Sequence, residues 1–187
     1  MAALHVFGCM GSRTPAADQA ALDRLNALSP DEAVATFAQC CAASEWAKAM
    51  AVQRPYRHPE ALFETADRVW NDLGPDAWRD AFQGHPRIGE KKSAAGQTET
   101  EARWSAQEQA VAQQDDGGIS AELAAAQRAY EARYGHIFLI CATGLSAPEI
   151  LAALRLRMRN DPEAELRVAA EEQRKITRLR LEKLLSS

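Results

Sequence analysis

Segments rich in alanine, leucine and charged residues alternate along this chain with short breaks that contain serine, proline or glycine. The segments consist of strong helix formers, and alanine alone supplies 38 of the 187 residues. Ser29-Pro30-Asp31 and Gly74-Pro75 have the form of helix starts, and Ser146-Ala-Pro-Glu149 has the form of a capping box. The pattern predicts helices at about residues 17–28, 30–42, 44–53, 58–73, 75–83, 99–115, 119–134, 147–159 and 162–185.

One apolar segment, Ile137-Phe-Leu-Ile-Cys-Ala142, is β-prone and lies between Gly135 and Gly144. The chain offers no second convincing strand to pair with it, so we interpret the segment as a buried extended linker. It is about a third as long as the roughly 20 apolar residues that span a bilayer, so a membrane-embedded protein is not expected. The expected fold is all-α, a single-domain helical bundle of about eight or nine helices.

The composition is that of a soluble globular protein, with 47% apolar and 26% charged residues. The length of 187 residues fits one domain. The 26 acidic residues outnumber the 22 basic ones, so the surface is not uniformly cationic and nucleic acid is not an expected partner.

The cysteines and the N-terminal residues bear on the compartment. Cys9, Cys40, Cys41 and Cys141 show no C-x-x-C spacing and are interpreted as reduced, mostly buried thiols. The N-terminal apolar stretch is not preceded by basic residues, so a secretory signal is not expected. We therefore expect a cytoplasmic location. We expect residues 1–17 to form a flexible N-terminal segment.

His85 is the first candidate for chemistry. It follows Gly84, which ends a predicted helix, and Pro86 favours an extended backbone at His85. Histidine suits acid–base chemistry near neutral pH. Alternatively, the ring caps the helix by bonding to a terminal carbonyl; the sequence leaves both interpretations open.

A second candidate is the helix face that carries Ser105, Glu108 and Gln109, which fall within about a quadrant of the helical wheel. Such a face is either solvated, as is normal for serine and glutamine, or part of a sheltered polar site. Trp104 and Val111 lie beside it and argue against full solvation.

A third candidate is Arg180, which the helical wheel places on the apolar side of the last helix, near Ile176 and Leu184, whereas Arg178 points away. Burying a guanidinium is costly unless an anion or carbonyl groups satisfy it. Arg180 is therefore expected either to pair with an internal carboxylate or to meet an anionic ligand.

Other functions fit the sequence less well. Cys40, Cys41 and Cys141 have apolar neighbours, which would raise a thiol pKa, so a Cys–His hydrolase is not expected. The chain lacks H-x-x-x-H, H-E-x-x-H and any close histidine pair, so no metal site is predicted.

A noncatalytic helical module that binds a partner or small ligand is the alternative function, and such a module should expose an apolar stripe on a surface helix. A helix-turn-helix regulator would need a basic recognition helix.

Six segments of the chain resemble one known family. They are Phe37-x-x-Cys40-Cys41-Ala-Ala-Ser44-x-Trp46-Ala-x-x-Met50, Arg54-Pro55-Tyr56, His85-Pro86-Arg87-Ile88-Gly89, Ser105-x-x-Glu108-Gln109, Tyr134-Gly-x-Ile137-Phe138-Leu-Ile-Cys141-Ala-Thr-Gly144 and Lys175-Ile176-x-x-Leu179-Arg180-Leu181. In this order and at these separations they resemble the 2-oxo-4-hydroxy-4-carboxy-5-ureidoimidazoline (OHCU) decarboxylases of uric acid degradation. The resemblance covers roughly residues 18–187. The chain departs from it at Leu145, where the family often has lysine, and over residues 1–17.

The resemblance implies an all-α enzyme without a cofactor or metal that converts the small molecule OHCU to (S)-allantoin and CO2, commonly as a homodimer. By motif position, His85 and Glu108 would be the catalytic pair and Arg180 its cationic partner. The residues implied to bind the substrate are Pro86, Ser105, Gln109, Phe138, Leu139, Ile140, Cys141 and Ala142.

Overall fold

Proline and capping residues divide the chain into nine α-helices within residues 15–89, 98–110 and 118–186, which the computed structural model describes. No strand occurs in these ranges. The helices are α1 (Pro15–Ala27), α2 (Pro30–Cys40), α3 (Ser44–Val52), α4 (Pro59–Asp72), α5 (Pro75–Gln83), α6 (Glu99–Glu108), α7 (Gly118–Tyr134), α8 (Ala147–Arg157) and α9 (Pro162–Leu185). The predicted all-α fold is confirmed.

Four helix bounds differ from the prediction by two residues or more: the start of α1 and the ends of α2, α6 and α8. Helix α1 already begins at Pro15, so only residues 1–14 of the predicted flexible segment lie outside the described residues. Helix α6 ends at Glu108 rather than at residue 115: Gln109 is the C-cap, and the Ala110 N–H donates to the Gln107 carbonyl, an i→i−3 bond of a tighter turn. The rest of the predicted helix, residues 111–115, lies outside the described residues.

The predicted helix starts are present and explain where the elements begin. The Ser29 N–H donates to the Glu32 carboxylate at 2.9 Å, and the Ser146 N–H donates to the Glu149 carboxylate at 2.8 Å. In each case the glutamate three residues on satisfies a backbone donor that the first helical turn leaves without a partner.

Helix α9 is the central element, since it packs against α1, α2, α4, α5 and α7. Its 24 residues extend about 36 Å, long enough to reach all five neighbours. The Trp70 indole N–H donates to the Ala170 carbonyl at 3.0 Å and ties α4 to α9. No described helix combines the length and the apolar character needed to cross a bilayer.

The buried side chains form two apolar clusters. The first surrounds Trp46 among α1 to α6 and α9, and the second surrounds Tyr130 between α7 and α8. Segment 137–142 is neither helix nor strand and contributes to both clusters, with Phe138 in the second and Leu139 in the first. Leu145 packs against the second cluster, which explains an apolar residue at that position.

The Arg54-Pro55-Tyr56 motif has a structural role at a distance from segment 137–142. The Arg54 guanidinium donates to the carbonyls of Leu25 at 2.9 Å and Leu28 at 2.7 Å, and thereby satisfies acceptors at the C-terminal end of α1. The Tyr56 hydroxyl donates to the Met50 carbonyl at 2.7 Å. The motif therefore joins α1 to the end of α3.

Gly84 allows a close approach between the end of α5 and the loop after α2. A Cβ atom at position 84 would lie 2.5 Å from the Ala42 Cβ, although the φ of −72° is ordinary for any residue. Gly84→Ala is expected to lower the free energy of unfolding by about 1 to 3 kcal/mol, because one of two backbone segments must move. Urea denaturation measures this loss.

Gly74→Ala is the matched control, since nothing lies within 4 Å of a Cβ at that position. Its effect should stay within about 1 kcal/mol, the contribution of an N-cap residue. A Gly84→Ala protein as stable as the wild type would show that the loop at Ala42 yields without cost.

Candidate active site

His85 lies just past the C-terminal end of α5 and faces α9. Its backbone N–H donates to the Phe82 carbonyl at 3.2 Å. The half-buried ring does not cap α5: its Nε2 atom lies 2.8 Å from Oε1 of Gln173 on α9. No described residue lies within hydrogen-bond distance of the other ring nitrogen, Nδ1. The ring is therefore fixed at one nitrogen only.

The turn after His85 is held by two glutamines. The Gln127 carboxamide accepts from the Ile88 N–H and donates to the Ile88 carbonyl, both at 3.0 Å, and its side chain is buried. The Gly89 N–H donates to the Gln109 Oε1 at 3.0 Å. Residues from α6 and α7 thus fix the turn that presents His85.

The polar face of α6 is buried, not solvated. Ser105, Glu108 and Gln109 are each at most 7% exposed. The carboxylate of Glu108 accepts from Nε and Nη2 of Arg180 at 3.1 and 3.0 Å, and from Nζ of Lys183 at 3.1 Å. Arg180, only 3% exposed, also donates to the Ser105 hydroxyl at 3.2 Å. Of the two alternatives for Arg180, the structure shows the internal carboxylate.

The predicted catalytic pair is not in direct contact. The His85 ring is bonded to Gln173, while the Glu108 carboxylate is occupied by Arg180 and Lys183. The reason is tertiary: two residues of α9, Gln173 and Arg180, give each side chain its own partner. Glu108 therefore orients Arg180 rather than the imidazole.

The cleft beside His85 gathers most of the predicted site. Its lining consists of His85, Pro86, Ile88, Ser105, Glu108, Gln109, Phe138, Leu139, Ile140, Ala142, Thr143 and Ile176. Two predicted residues are missing from this lining. Arg180 lies behind Glu108 and Ser105, and Cys141 contributes its backbone N–H to the Glu172 carboxylate at 2.8 Å.

Sequence reasoning missed several residues of the cleft and its surroundings. Ile88, Thr143 and Ile176 line it, although all three lie inside the quoted motifs. Gln173 contacts His85 from behind. It lies seven residues, about two turns, before Arg180 on the same face of α9, so the helical wheel that placed Arg180 could also have found it.

The apolar wall of the cleft is anchored by a buried cation. Arg157 donates to the Leu139 carbonyl at 2.8 Å, and its guanidinium lies 4.6 Å from the centre of the Phe138 ring. The charge of Arg157 is balanced by the fully buried carboxylate of Glu165, with Nε to Oε1 at 2.8 Å. Segment 137–142 is thus held in place by side-chain contacts.

The electrostatic environment favours a neutral His85. Burial, and secondarily the positive charge of Arg180, lower the pKa of His85 to about 3. The ring is therefore an unprotonated base at neutral pH. Burial raises the pKa of Cys40 to about 12 and that of Cys41 to about 11, so neither thiol is activated as a nucleophile. Among the described residues, no three His, Cys, Asp or Glu side chains are grouped to hold a metal ion.

We expect acid to destabilise the protein in part through His85. Its folded pKa is about 3, against an ordinary value of 6.5. Between these two values the unfolded chain binds more protons than the folded one. The free energy of unfolding therefore falls as the pH falls, by at most about 1.4 kcal/mol per pH unit from this group. Urea denaturation at pH 7 and pH 5 measures the slope.

His85→Asn provides the comparison, because asparagine does not titrate. Its stability should vary less steeply with pH than that of the wild type, while the half-buried His136, whose pKa burial also lowers, contributes equally to both. Identical slopes for the two proteins would show that His85 titrates normally in the folded state.

The described helices and the cleft define an all-α protein with a sheltered histidine base, a buried carboxylate–guanidinium pair and an apolar wall. The family model of the OHCU decarboxylases matches residues 26–182. The chain therefore belongs to the OHCU decarboxylase family, whose members are carboxy-lyases of uric acid degradation. The resemblance that the six segments carry is confirmed.

Two curated proteins are similar to the chain. The uric acid degradation bifunctional protein TTL of Arabidopsis thaliana is 39% identical over 148 residues, which cover 79% of this chain and 45% of that protein. The chain thus spans less than half the length of the plant protein. The 2-oxo-4-hydroxy-4-carboxy-5-ureidoimidazoline decarboxylase of Amia calva is 29% identical over 168 residues, or 87% of this chain and 93% of that protein.

Two solved structures share the fold. A crystal structure of OHCU decarboxylase in the presence of (S)-allantoin is 35% identical, with a TM-score of 0.69 over 81% of this chain and 97% of that chain. A crystal structure of (S)-allantoin synthase is 17% identical, with a TM-score of 0.65 over 87% of this chain and 53% of that chain. At that identity the second likeness supports the fold alone.

Proposed function

We propose that this protein decarboxylates OHCU to (S)-allantoin and CO2, with residues 18–187 as the catalytic domain. The observation that carries the proposal is the His85 ring. It is neutral, lines a cleft with an apolar wall and a polar end, and has one nitrogen without a described protein partner, next to a buried Glu108–Arg180 pair. This arrangement suits proton transfer to and from a small molecule in a poorly hydrated site.

The substrate itself can accept the electrons released by loss of CO2. OHCU resembles a β-imino acid: when the bond from ring carbon C4 to the carboxylate breaks, its electron pair forms a C4=C5 double bond. The former C=N electron pair moves to the ring nitrogen, which takes up a proton. Removal of the 4-hydroxyl proton and protonation of C5 from one face then give (S)-allantoin. The proposed reaction therefore needs no cofactor.

In this reaction His85 exchanges a proton with the 4-hydroxyl group or the ring. The turn that Gln127 and Gln109 fix holds the imidazole in place, so little reorganisation is needed during proton transfer. Phe138 and Leu139 exclude water from the carboxylate, and loss of hydration favours departure of neutral CO2.

Glu108 and Arg180 shape the polar end of the cleft. Arg180 does not line the cleft, so we assign it a positioning role: it holds the Glu108 carboxylate and the Ser105 hydroxyl towards the substrate. Its positive charge also disfavours protonation of His85 and keeps the base form available.

The direct test is to supply OHCU and follow optical activity. Oxidation and hydrolysis of urate generate OHCU in the cuvette, and circular dichroism reports the build-up of (S)-allantoin. We expect the purified protein to accelerate OHCU decay and to give an optically active product, whereas the reaction without it should give racemic allantoin slowly. An unchanged decay rate at micromolar protein would contradict the proposal.

A noncatalytic binding module finds no support in the surface. The large apolar side chains that are exposed among the described residues are Val52 and Leu156, on separate helices, and they do not form a stripe. We also propose that the protein is cytoplasmic and forms a homodimer. The cytoplasmic location is supported by the free thiols of Cys40, Cys41 and Cys141, because a reducing compartment keeps cysteines free. Sedimentation velocity would test the dimer.

A further inference from the structure

Gln173 connects the proposed base to the interior of the bundle. It lies on α9, its side chain is fully buried, and it does not line the cleft. One end of its carboxamide, Oε1, lies 2.8 Å from Nε2 of His85. The other end, Nε2, donates to the Thr177 hydroxyl oxygen at 3.1 Å.

This chain of contacts determines which nitrogen of His85 carries the proton. A neutral imidazole has one N–H donor and one acceptor nitrogen, and a carboxamide has a donor end and an acceptor end. Because the Thr177 oxygen takes the amide donor, the carbonyl oxygen faces His85. Two acceptors facing each other in a buried site would be unfavourable, so the His85 Nε2 must be the donor.

We propose that Gln173 is a positioning residue that holds His85 as the Nε2–H tautomer and leaves the basic lone pair on Nδ1. Nδ1 is the ring nitrogen that lacks a described hydrogen-bond partner, in a side chain that lines the cleft. The part of this inference that concerns turnover rests on the proposed function; the tautomer does not.

The same contact serves the protonated ring. When Nδ1 takes a proton from the substrate, Nε2–H still donates to the Gln173 carbonyl, so the imidazolium keeps its partner throughout the proton transfer. This hydrogen bond favours the charged form, whereas Arg180 opposes it. Gln173 thereby limits the cost of protonating a base that sits close to a guanidinium.

The test combines a spectroscopic and a kinetic measurement. In protein with ¹⁵N-labelled histidine, long-range ¹H–¹⁵N correlation spectra distinguish the two tautomers of His85. We expect Nε2–H as the single tautomer in the wild type. Gln173→Leu removes the acceptor, so we expect a tautomer mixture and a loss in kcat of about 10-fold or more, with a small change in KM.

Substitution of Thr177 provides a second route that leaves Gln173 in place. Thr177→Val removes the oxygen that orients the carboxamide and should weaken the tautomer preference, while Thr177→Ser keeps a hydroxyl and should behave like the wild type. Unlike Gln173→Leu, the Gln173→Glu variant keeps an acceptor opposite Nε2, so we expect it to retain the proton on Nε2.

Two results would overturn the inference: an Nδ1–H tautomer in the wild type, or an unchanged tautomer and kcat in both Gln173→Leu and Thr177→Val. If the wild type shows no OHCU turnover, the proposed function fails. The tautomer spectra would still decide the role of Gln173.

Discussion

Replacement of His85 by asparagine should lower kcat for OHCU decarboxylation by about 10²- to 10⁴-fold, the usual contribution of a positioned acid–base group. Asparagine can still offer its amide N–H to the Gln173 carbonyl, but it cannot take up a proton at neutral pH. The helical circular dichroism spectrum should not change, because the His85 side chain is half-buried and not part of either apolar cluster. Initial rates across a range of OHCU concentrations give kcat and KM separately.

His58→Asn is the matched control. His58 is the N-cap of α4, where its Nδ1 accepts from the Ala61 N–H at 3.1 Å, and asparagine is among the most favourable N-cap residues. It does not line the cleft, so its loss should leave both activity and stability near the wild-type values. A His85→Asn protein that keeps more than about a tenth of wild-type kcat would be incompatible with a proton-transfer role.

Arg180→Met should both destabilise the protein and reduce turnover by orders of magnitude. The substitution leaves the Glu108 carboxylate, 8% exposed, without its bidentate partner. Breaking a buried pair costs roughly 3 to 5 kcal/mol, and we expect the lower end because Lys183 still contacts Glu108. Activity should fall because the carboxylate and the Ser105 hydroxyl are then no longer held at the cleft. Chemical denaturation and initial rates measure the two effects.

Two further variants show whether the effect of Arg180→Met comes from the position of the arginine or from the loss of a positive charge. Arg178 is half-exposed and lies over the Phe63 ring at 4.3 Å, so its replacement should cost about 1 kcal/mol or less and leave turnover unchanged. Adding Glu108→Gln to Arg180→Met removes the stranded charge, so the double variant should regain stability but not activity. A folded Arg180→Met protein with normal turnover would show that the pair serves the fold alone.

The helices were predictable because local signals are sufficient to set them. Serine and proline at the helix starts, and a glutamate three residues after Ser29 and Ser146, satisfy backbone donors within one turn. Arg180 was predicted inside for a similarly local reason, since the helical wheel needs only the order of residues on α9. Motif order then identified the family and most of the cleft lining.

The partners of the polar side chains depended on the tertiary structure. Hydrogen bonds between His85 and Gln173, and between Arg180 and Glu108, join residues 88 and 72 positions apart. Periodicity can place each side chain on a face of its helix. It does not say which faces meet, because that is decided by how α5, α6 and α9 pack.

The sequence by itself thus determined the all-α fold, the helix starts and the inward position of Arg180, all of which depend on interactions within one or two turns. Only the tertiary structure decided that Glu108 holds Arg180 rather than His85, and that a buried glutamine faces the imidazole. The physical reason is that each buried polar group must be satisfied by whatever neighbour the packed helices bring within about 3 Å.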